Sequence, residues 1–276
     1  MRWIDIYYQS VRGGVMQNSN KITQLKALDN ICHRCKLRNL CSVNILSASE
    51  RKMFSDVTIH DVRRDRGQHL FLPGDQLHFI YIVHSGSFKT YITNGNGDEQ
   101  ITGFYFQGDV LGLNVSNHAT KNYGVVALET STVCKIPLAG FENMVTKYPA
   151  LFNAFLKIMS REIILKQRMI LVLSKMTAEQ KAANFLIQMS TVSKSRGYSS
   201  LVFNLSMSRT DIANYLGLAN ETVSRIFKSF QDKGIISTDR HQISINDFET
   251  LKSFLQYSDT NTSIKAATIS QKNHLR

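Results

Sequence analysis

Three of the four cysteines of the sequence lie in one short stretch, ICHRCKLRNLC at residues 31–41. Cys32, Cys35 and Cys41 are separated by two and by five residues, and Cys134 follows much later. Two thiolates with this spacing can face one centre from a single turn, and a short loop can bring the third to the same place. Four thiolates suit zinc or an iron–sulfur cluster. The alternative, four unrelated buried thiols, fits poorly with the polar residues around the first three.

The composition favours a polyanionic partner. The formal net charge is +12 and the sequence pI is about 9.6, which indicates nucleic acid ahead of a membrane surface. The alternative is a soluble protein that is merely basic. The sequence has no run of about 18 apolar residues that could span a membrane, and its first twenty residues lack the apolar core of a secretion signal. We therefore expect a cytoplasmic protein, in which cysteines act as ligands rather than as disulfides.

The chain divides into five regions by the pattern of its residues. Residues 1–56 contain the clustered cysteines, and residues 257–276 form a polar tail that we expect to be disordered. The three regions between them are a strand-rich domain at 57–146, a helix at 147–176 and a helix-rich domain at 177–256.

The strand-rich domain alternates short β-branched and aromatic runs with turns such as LPGD, NGNGD and QGD. A strand and a turn recur about every ten residues, which predicts an antiparallel β-roll or jelly roll. The run at 124–136 is predicted to be one strand that contains Cys134. Alternation then places Val126, Leu128 and Ile136 on the same face as that cysteine.

A long helix is predicted from Pro149 to about residue 175. Its apolar residues recur in steps of four and three, which is the spacing of a two-helix seam. We predict a homodimer through this seam. A second apolar stripe leaves open the alternative of a helix buried on two sides within a monomer. The residues assigned to the dimer interface are Met159, Ile163, Lys166, Ile170 and Leu173, of which only Lys166 is charged.

Residues 208–233 have the pattern of a helix-turn-helix. Ser208 and Asp211 form a capping box, Gly217 ends the first helix, and Asn220 is predicted as the N-cap of the second. Two short strands near residues 234–245 would add a wing. An ordinary helix pair is the alternative. The residues expected to contact DNA are Glu221, Thr222, Ser224, Arg225, Lys228 and Arg209.

The chemistry of these side chains suggests separate roles. Arg225 can donate two hydrogen bonds to guanine, Glu221 can accept one from cytosine, and Ser224 can contact most bases weakly. Lys228 and Arg209 suit phosphate contacts. The alternative is that Glu221 and Arg225 pair with each other along the helix.

The order of these features resembles the FNR (fumarate and nitrate reduction) group of the Crp–Fnr transcription regulators. The resemblance covers about residues 30–250. It is carried by the cysteine spacing with a distant fourth cysteine, and by the motifs GDEQITGFYF, ALETSTVCKIP and DIANYLGL-x2-ETVSR.

The resemblance implies an α+β protein with an N-terminal cyclic-nucleotide-binding-like antiparallel β-roll, a long dimerisation helix and a C-terminal winged helix-turn-helix. It implies an oxygen-labile 4Fe-4S cluster held by Cys32, Cys35, Cys41 and Cys134, which controls dimerisation. The dimer would bind double-stranded DNA at an inverted repeat like TTGAT and ATCAA. The hairpin tip at 94–99 is similar to a surface that contacts RNA polymerase in that family, although a plain turn is equally consistent with its sequence.

Two departures from the family matter. The stretch GDVLGLNVSNHATKN contains no arginine, so binding of a cyclic nucleotide is not expected. Lys166 stands where well-known FNR proteins carry an acidic residue in the seam. A lysine pair would repel across the two-fold axis, so we expect removal of the lysine to favour the dimer, unless its flexible side chain turns away from the seam.

Two other kinds of function compete with this interpretation. The nearest is a Crp–Fnr-fold regulator whose cysteines form a structural zinc site or a thiol switch. The other is an iron–sulfur electron carrier, which the basic charge and the DNA-reading helix argue against. We predict no enzymatic activity, because no set of nucleophile, base and orienting residue is evident.

Overall fold

A computed structural model describes residues 58–76, 78–113 and 122–256. The predicted ligands Cys32, Cys35 and Cys41 and the predicted disordered tail lie outside these residues. Cys134, the predicted dimerisation helix and the whole predicted helix-turn-helix lie within them.

The N-terminal part of the described chain forms two antiparallel sheets that face each other. The first has the strand order β1-β8-β3-β6 and the second the order β2-β7-β4-β5. The predicted antiparallel β-roll is therefore confirmed. The strands are β1 (Ile59–Arg64), β2 (His69–Phe71), β3 (Phe79–Ser85), β4 (Ser87–Thr93), β5 (Glu99–Phe106), β6 (Val110–Leu111), β7 (Gly124–Ala127) and β8 (Ser131–Pro137).

The core of the roll is formed by alternate side chains from both sheets. Val83 on β3 and Val133 on β8 face Phe88 on β4 and Val125 on β7, and all four are completely buried. Alternation along β8 turns Cys134 and Ile136 to the opposite side, where they belong to a second apolar cluster.

The prediction of one strand across residues 124–136 was wrong. The chain crosses from one sheet to the other at residues 128–130, so Val126 lies in β7 and Leu128 lies in the turn. Leu128 is buried against the C-terminal domain rather than beside Cys134, and only Ile136 shares the cluster of that cysteine. The turn LET contains neither glycine nor proline, so the run of strand-forming residues did not reveal it.

Six helices and a small three-stranded sheet complete the described chain. The helices are α1 (Leu138–Lys147), α2 (Pro149–Lys175), α3 (Ala178–Ser195), α4 (Arg209–Leu216), α5 (Asn220–Asp232) and α6 (Phe248–Gln256). The sheet has the order β10-β11-β9, with β9 (Val202–Asn204), β10 (Ile236–Asp239) and β11 (Gln242–Ile245). The long helix and the winged helix-turn-helix are therefore as predicted. None of the helices in the described part of the chain is long and apolar enough to cross a membrane.

The helix ends of the C-terminal domain follow from side-chain caps. Ser208 and Asp211 make both bonds of a capping box at α4, and Gly217 ends that helix in the left-handed conformation, with φ of 60°. The prediction of Asn220 as the N-cap of α5 was wrong by one residue. Ala219 occupies that position and makes no side-chain cap bond, so Asn220 is the first helical residue.

Gly86 forms the tight connection between β3 and β4 and provides a test of this packing. Its φ is +76°, and a Cβ at this position would lie 2.8 Å from the Cα of Ser131. We expect Gly86→Ala to lower the free energy of unfolding by at least about 1–3 kcal/mol, because backbone strain and a backbone clash coincide. Chemical denaturation would measure it.

Gly97→Ala is the matched control, since its φ is +86° but a Cβ there would meet nothing within 4 Å. A loss in Gly86→Ala no larger than in Gly97→Ala would contradict the clash with Ser131.

Candidate nucleic-acid interface and regulatory elements

The outer face of α5 presents the residues that were expected to read DNA. Glu221, Ser224, Arg225 and Lys228 are exposed, and Thr222 is half-buried. Residues three and four apart share one face of a helix, so the four exposed side chains form a continuous polar strip. The opposite face is buried and anchors the helix through Val223, Ile226, Phe227 and Phe230.

The charged groups on this strip are available to a ligand. Lys228 lies 3.5 Å from Asp232, but both side chains are mostly exposed, and a pair of this kind contributes little to stability. Among the described residues, the ion pairs do not join Glu221 to Arg225. The alternative in which these two side chains only pair with each other thus gains no support.

Arg209 has a different environment from the α5 residues. Its guanidinium lies over the Phe227 ring, 3.8 Å from the ring centroid, and is half-buried. Burial lowers the pKa of Arg209, and within the described residues its buried Nη1 has no hydrogen-bond partner. Stacking therefore holds Arg209, at the start of α4, against Phe227 on the buried face of α5.

Cys134 is half-buried on β8, opposite Ile82 of β3. Its apolar cluster contains Ile82, Ile136, Met144 of α1 and Leu151 of α2. Groups of three or more possible metal ligands do not occur within the described residues. The one predicted ligand that the structure describes therefore lies where the β-roll meets the start of the long helix.

The seam of α2 is exposed in the protomer. Ile163 and Ile170 have relative exposures of 55% and 66%, and Leu173 is also exposed, whereas Met159 is half-buried. Apolar side chains this exposed along one helix are typical of a protein–protein contact. These exposed side chains do not fit the alternative in which α2 is buried on two sides within one protomer.

Lys166 points to the β-roll of its own protomer. Its ammonium donates a hydrogen bond to the carbonyl oxygen of Thr102 on β5, at 2.7 Å, and its Nζ is 5.9 Å from the ring centroid of Tyr105. Desolvation of the amine lowers the pKa of Lys166, partly opposed by Glu162. Much of the side chain remains exposed, but the charged end is turned away from the seam. This arrangement favours the alternative in which the lysine turns away from its copy.

Sequence reasoning missed the residues that connect the β-roll to the helix-turn-helix. Lys89 on β4 forms an ion pair with Asp211 on α4 at 2.7 Å, and Asn214 on α4 bonds to the backbone of β5. Burial alone would raise the pKa of Asp211, but hydrogen bonds from Lys89 and Ser208 outweigh it and hold that pKa below its ordinary value. These partners are more than 110 positions apart, so no local pattern could indicate them.

Comparison with known proteins gives matches in both domains. The model of the cyclic nucleotide-binding domain matches residues 62–148, and that of the Crp-like helix-turn-helix domain matches residues 180–254. The match to the cyclic nucleotide-binding domain identifies the type of domain and does not test whether a nucleotide binds. The expectation that this chain binds no cyclic nucleotide therefore stays a prediction.

Two curated relatives resemble the chain over most of its length. The transcriptional activator protein Anr of Pseudomonas aeruginosa is 38% identical over 216 residues, which cover 78% of this chain and 88% of the relative. The anaerobic regulatory protein of Haemophilus influenzae is 38% identical over 220 residues, covering 80% and 86%. The relatives are transcription regulators, which confirms the prediction that the chain is not an enzyme.

Solved structures share the fold. FixK2 from Bradyrhizobium japonicum superposes with a TM-score of 0.66 at 23% identity and covers 71% of this chain and 97% of its own. A CooA mutant from Carboxydothermus hydrogenoformans gives a TM-score of 0.59 at 21% identity, covering 71% and 87%. From the β-roll, the exposed reading helix and the relatives with 38% identity, we conclude that the chain belongs to the FNR-type group of Crp–Fnr regulators and is a DNA-binding transcription regulator.

Proposed function

We propose that this protein is an oxygen-responsive regulator whose dimerisation and DNA binding depend on a 4Fe-4S cluster held by Cys32, Cys35, Cys41 and Cys134. The observation that carries the proposal is the coincidence of these four cysteines with relatives described as anaerobic regulators. An expected cytoplasmic location, where thiols stay reduced, agrees with it.

The setting of Cys134 fits a cluster ligand. A thiolate supplies the negative charge and soft sulfur that iron–sulfur clusters require. Cys134 is half-buried beside the apolar cluster around Ile82 and Ile136, and that cluster limits the access of water to this side of the residue. A cluster bound there would supply an oxygen-labile link among four thiolates.

Cys134 lies where the β-roll packs against the start of α2, the proposed dimer helix. Cys134 and Leu151 of α2 belong to the same apolar cluster, which also includes Met144 of α1. A change in how the N-terminal segment is held at Cys134 would therefore act on residues that pack against the first turns of α2. We propose that this is how ligation at the four cysteines favours the dimer.

The dimer would form along α2. A helix with exposed apolar side chains at seam spacing gains stability by covering them against a second copy. The seam comprises Met159, Ile163, Ile170 and Leu173, and Lys166 lies among them with its amine bonded to Thr102.

The two recognition helices of such a dimer would read an inverted repeat. The proposed half-sites resemble TTGAT and its complement ATCAA, whose single G·C pair suits one arginine and one glutamate. Two-fold symmetry requires half-sites about one helical turn apart, centre to centre. Arg225 and Glu221 are exposed on α5 in positions suited to this readout.

RNA polymerase is the proposed further partner. The hairpin between β4 and β5 has an exposed tip from Asn94 to Glu99. The amide of Asn94 donates to Asp98, and the backbone amides of Asn96 and Asp98 donate to Asn94, so the tip has a defined shape. A defined and exposed loop is suited to contact with another protein.

An absorbance spectrum of protein purified without oxygen tests the cluster directly. A broad visible band that disappears in air, with iron and sulfide in the preparation, supports the proposal. A featureless spectrum with stoichiometric zinc would favour the structural zinc site. A featureless spectrum without metal would favour a thiol switch.

The fourth ligand is tested by Cys134→Ser. We expect this variant to lose stable cluster binding, because a hydroxyl stays protonated at neutral pH and lacks the soft sulfur. Iron and sulfide analysis of anaerobically purified protein measures it, with the thermal unfolding of the metal-free form as a check of folding. Full iron and sulfide content in Cys134→Ser would remove that residue from the ligand set.

The role of Lys166 is tested by Lys166→Ala. Loss of the bond to Thr102 should lower the free energy of unfolding by about 1 kcal/mol, without increasing dimerisation of the cluster-free protein. Sedimentation and chemical denaturation measure the two effects, and Lys157→Ala, at an exposed position of the same helix, is the matched control. A stronger dimer in Lys166→Ala alone would instead support charge repulsion in the seam.

DNA reading is tested by a pair of variants on α5. Arg225→Ala should cost roughly 1–3 kcal/mol on the preferred site and relax the preference for guanine. Lys228→Ala should weaken binding to all sequences alike and reduce the salt slope by about one. Binding selections measure both, and an identical preferred motif for wild type and Arg225→Ala would show that Arg225 does not read a base.

A further inference from the structure

The free edge of β5 is bound by a side chain of the DNA-binding domain. Within residues 58–76, 78–113 and 122–256, β5 pairs with a strand on one side only, because it ends the sheet of order β2-β7-β4-β5. The Oδ1 of Asn214 accepts a hydrogen bond from the backbone amide of Ile101 at 2.6 Å, and its Nδ2 donates to the carbonyl oxygen of Glu99 at 2.8 Å. The amide of Asn214 thus bonds to the edge as a neighbouring strand would.

A third bond closes the contact from the other side. The Nε2 of Gln100 donates to the backbone carbonyl oxygen of Asn214 at 2.7 Å. The side chain of Asn214 therefore bonds to the backbone on either side of Gln100, and the side chain of Gln100 bonds to the backbone of Asn214. We call these three hydrogen bonds the β5–α4 clamp.

The same strand also holds the long helix. A β-bulge leaves Thr102 as an extra residue, since Thr90 pairs with Gly103 and Tyr91 pairs with Ile101. The carbonyl of Thr102 accepts from Lys166 of α2. One strand therefore carries both the helix that would form the dimer and, through Asn214, the first helix of the DNA-reading pair.

Apolar contacts at this junction are strong but not directional. Phe104 of β5 lies 5.0 Å from Tyr215 of α4 and 6.2 Å from Phe185 of α3, measured between ring centroids. Such packing holds the domains together over a range of orientations, whereas hydrogen bonds lose strength when their angles change. The covalent connection between α2 and α3 consists of two extended residues, Met176 and Thr177. The polar contacts at this junction therefore add directional restraints on the orientation of the two domains.

We infer that Asn214 and Gln100 are positioning residues that set the separation of half-sites read by the dimer. This inference rests on the proposed dimeric binding to an inverted repeat. Moving two half-sites by one base pair changes their separation by about 3.4 Å and their relative rotation by about 34–36°. If the orientation of α4 on β5 is fixed, the dimer loses affinity for DNA whose half-sites have been moved in this way. If the orientation is loose, the dimer keeps much of that affinity.

The test measures binding of anaerobically purified full-length protein to three DNA duplexes. They contain the preferred half-sites at the preferred spacing and at one base pair more or less. The quantity of interest is the ratio of Kd at the altered spacing to Kd at the preferred spacing. A single half-site duplex reports on base reading alone.

We expect Asn214→Ala to reduce this ratio by about fivefold, the equivalent of roughly one net hydrogen bond, and to leave affinity for the single half-site unchanged. Gln100→Ala should change the ratio in the same direction, although its substitution lies outside the DNA-binding domain. Asn204→Ala, the same chemical change at an exposed position of β9, is the matched control and should behave as wild type.

Several results would overturn the inference. One is an unchanged ratio in both Asn214→Ala and Gln100→Ala while thermal unfolding shows them folded. Another is tighter binding at all spacings, because the clamp would then hold an inactive arrangement. Wild-type protein that ignores spacing, or does not bind the inverted repeat, would overturn the proposed DNA binding together with this inference.

Discussion

The edge of β5 that pairs with no other strand of the described chain is the constraint on which the arrangement of its domains depends. Backbone donors and acceptors at a sheet edge need partners, and an edge without them invites pairing with another chain. Here the partners come from within the protomer, from Asn214 at one end and from Lys166 at the bulge. The β-roll, the long helix and the DNA-reading domain thus share one strand.

Two kinds of interaction, apolar packing and polar bonds, connect the β-roll to the DNA-reading domain. Aromatic packing of Phe104 against Tyr215 and Phe185, together with buried Leu128, removes apolar surface from water and holds the domains together. The ion pair of Lys89 with Asp211 and the bonds of Asn214 add direction. Asp211 and Ser208 form the capping box of α4, so the cap of the first helix in the DNA-reading pair is bonded to the β-roll through Lys89.

The surfaces proposed for DNA binding and for dimerisation lie on different helices of the protomer. The polar strip of α5 faces outward with its charged groups accessible, which suits a polyanion, whereas α2 exposes apolar side chains at seam spacing. The position of Lys166 in the sequence places it in the seam, but its amine bonds to Thr102 of β5. A lysine at this point can link the helix to the sensor without placing its charge between two copies.

Local patterns in the sequence were sufficient for much of this description. The turn-separated strands predicted the β-roll, the steps of four and three predicted the long helix, and Ser208, Asp211 and Gly217 predicted where α4 begins and ends. These features depend on residues close together in the chain, which is why spacing alone determines them. The cysteine spacing also predicts a ligand set, but Cys32, Cys35 and Cys41 lie outside the described residues, so that set stays a prediction.

Only the tertiary structure decided which distant groups meet. The division of residues 124–136 between two sheets, the turn of Lys166 toward Thr102 and the bonding of Asn214 to β5 all depend on chain segments far apart in sequence. An asparagine in the middle of α4 has the same local signature whether it faces solvent or completes a sheet edge. The sequence therefore determined the elements and the chemistry that they carry, while packing determined their relative orientation, because each orienting bond joins residues that become neighbours only after folding.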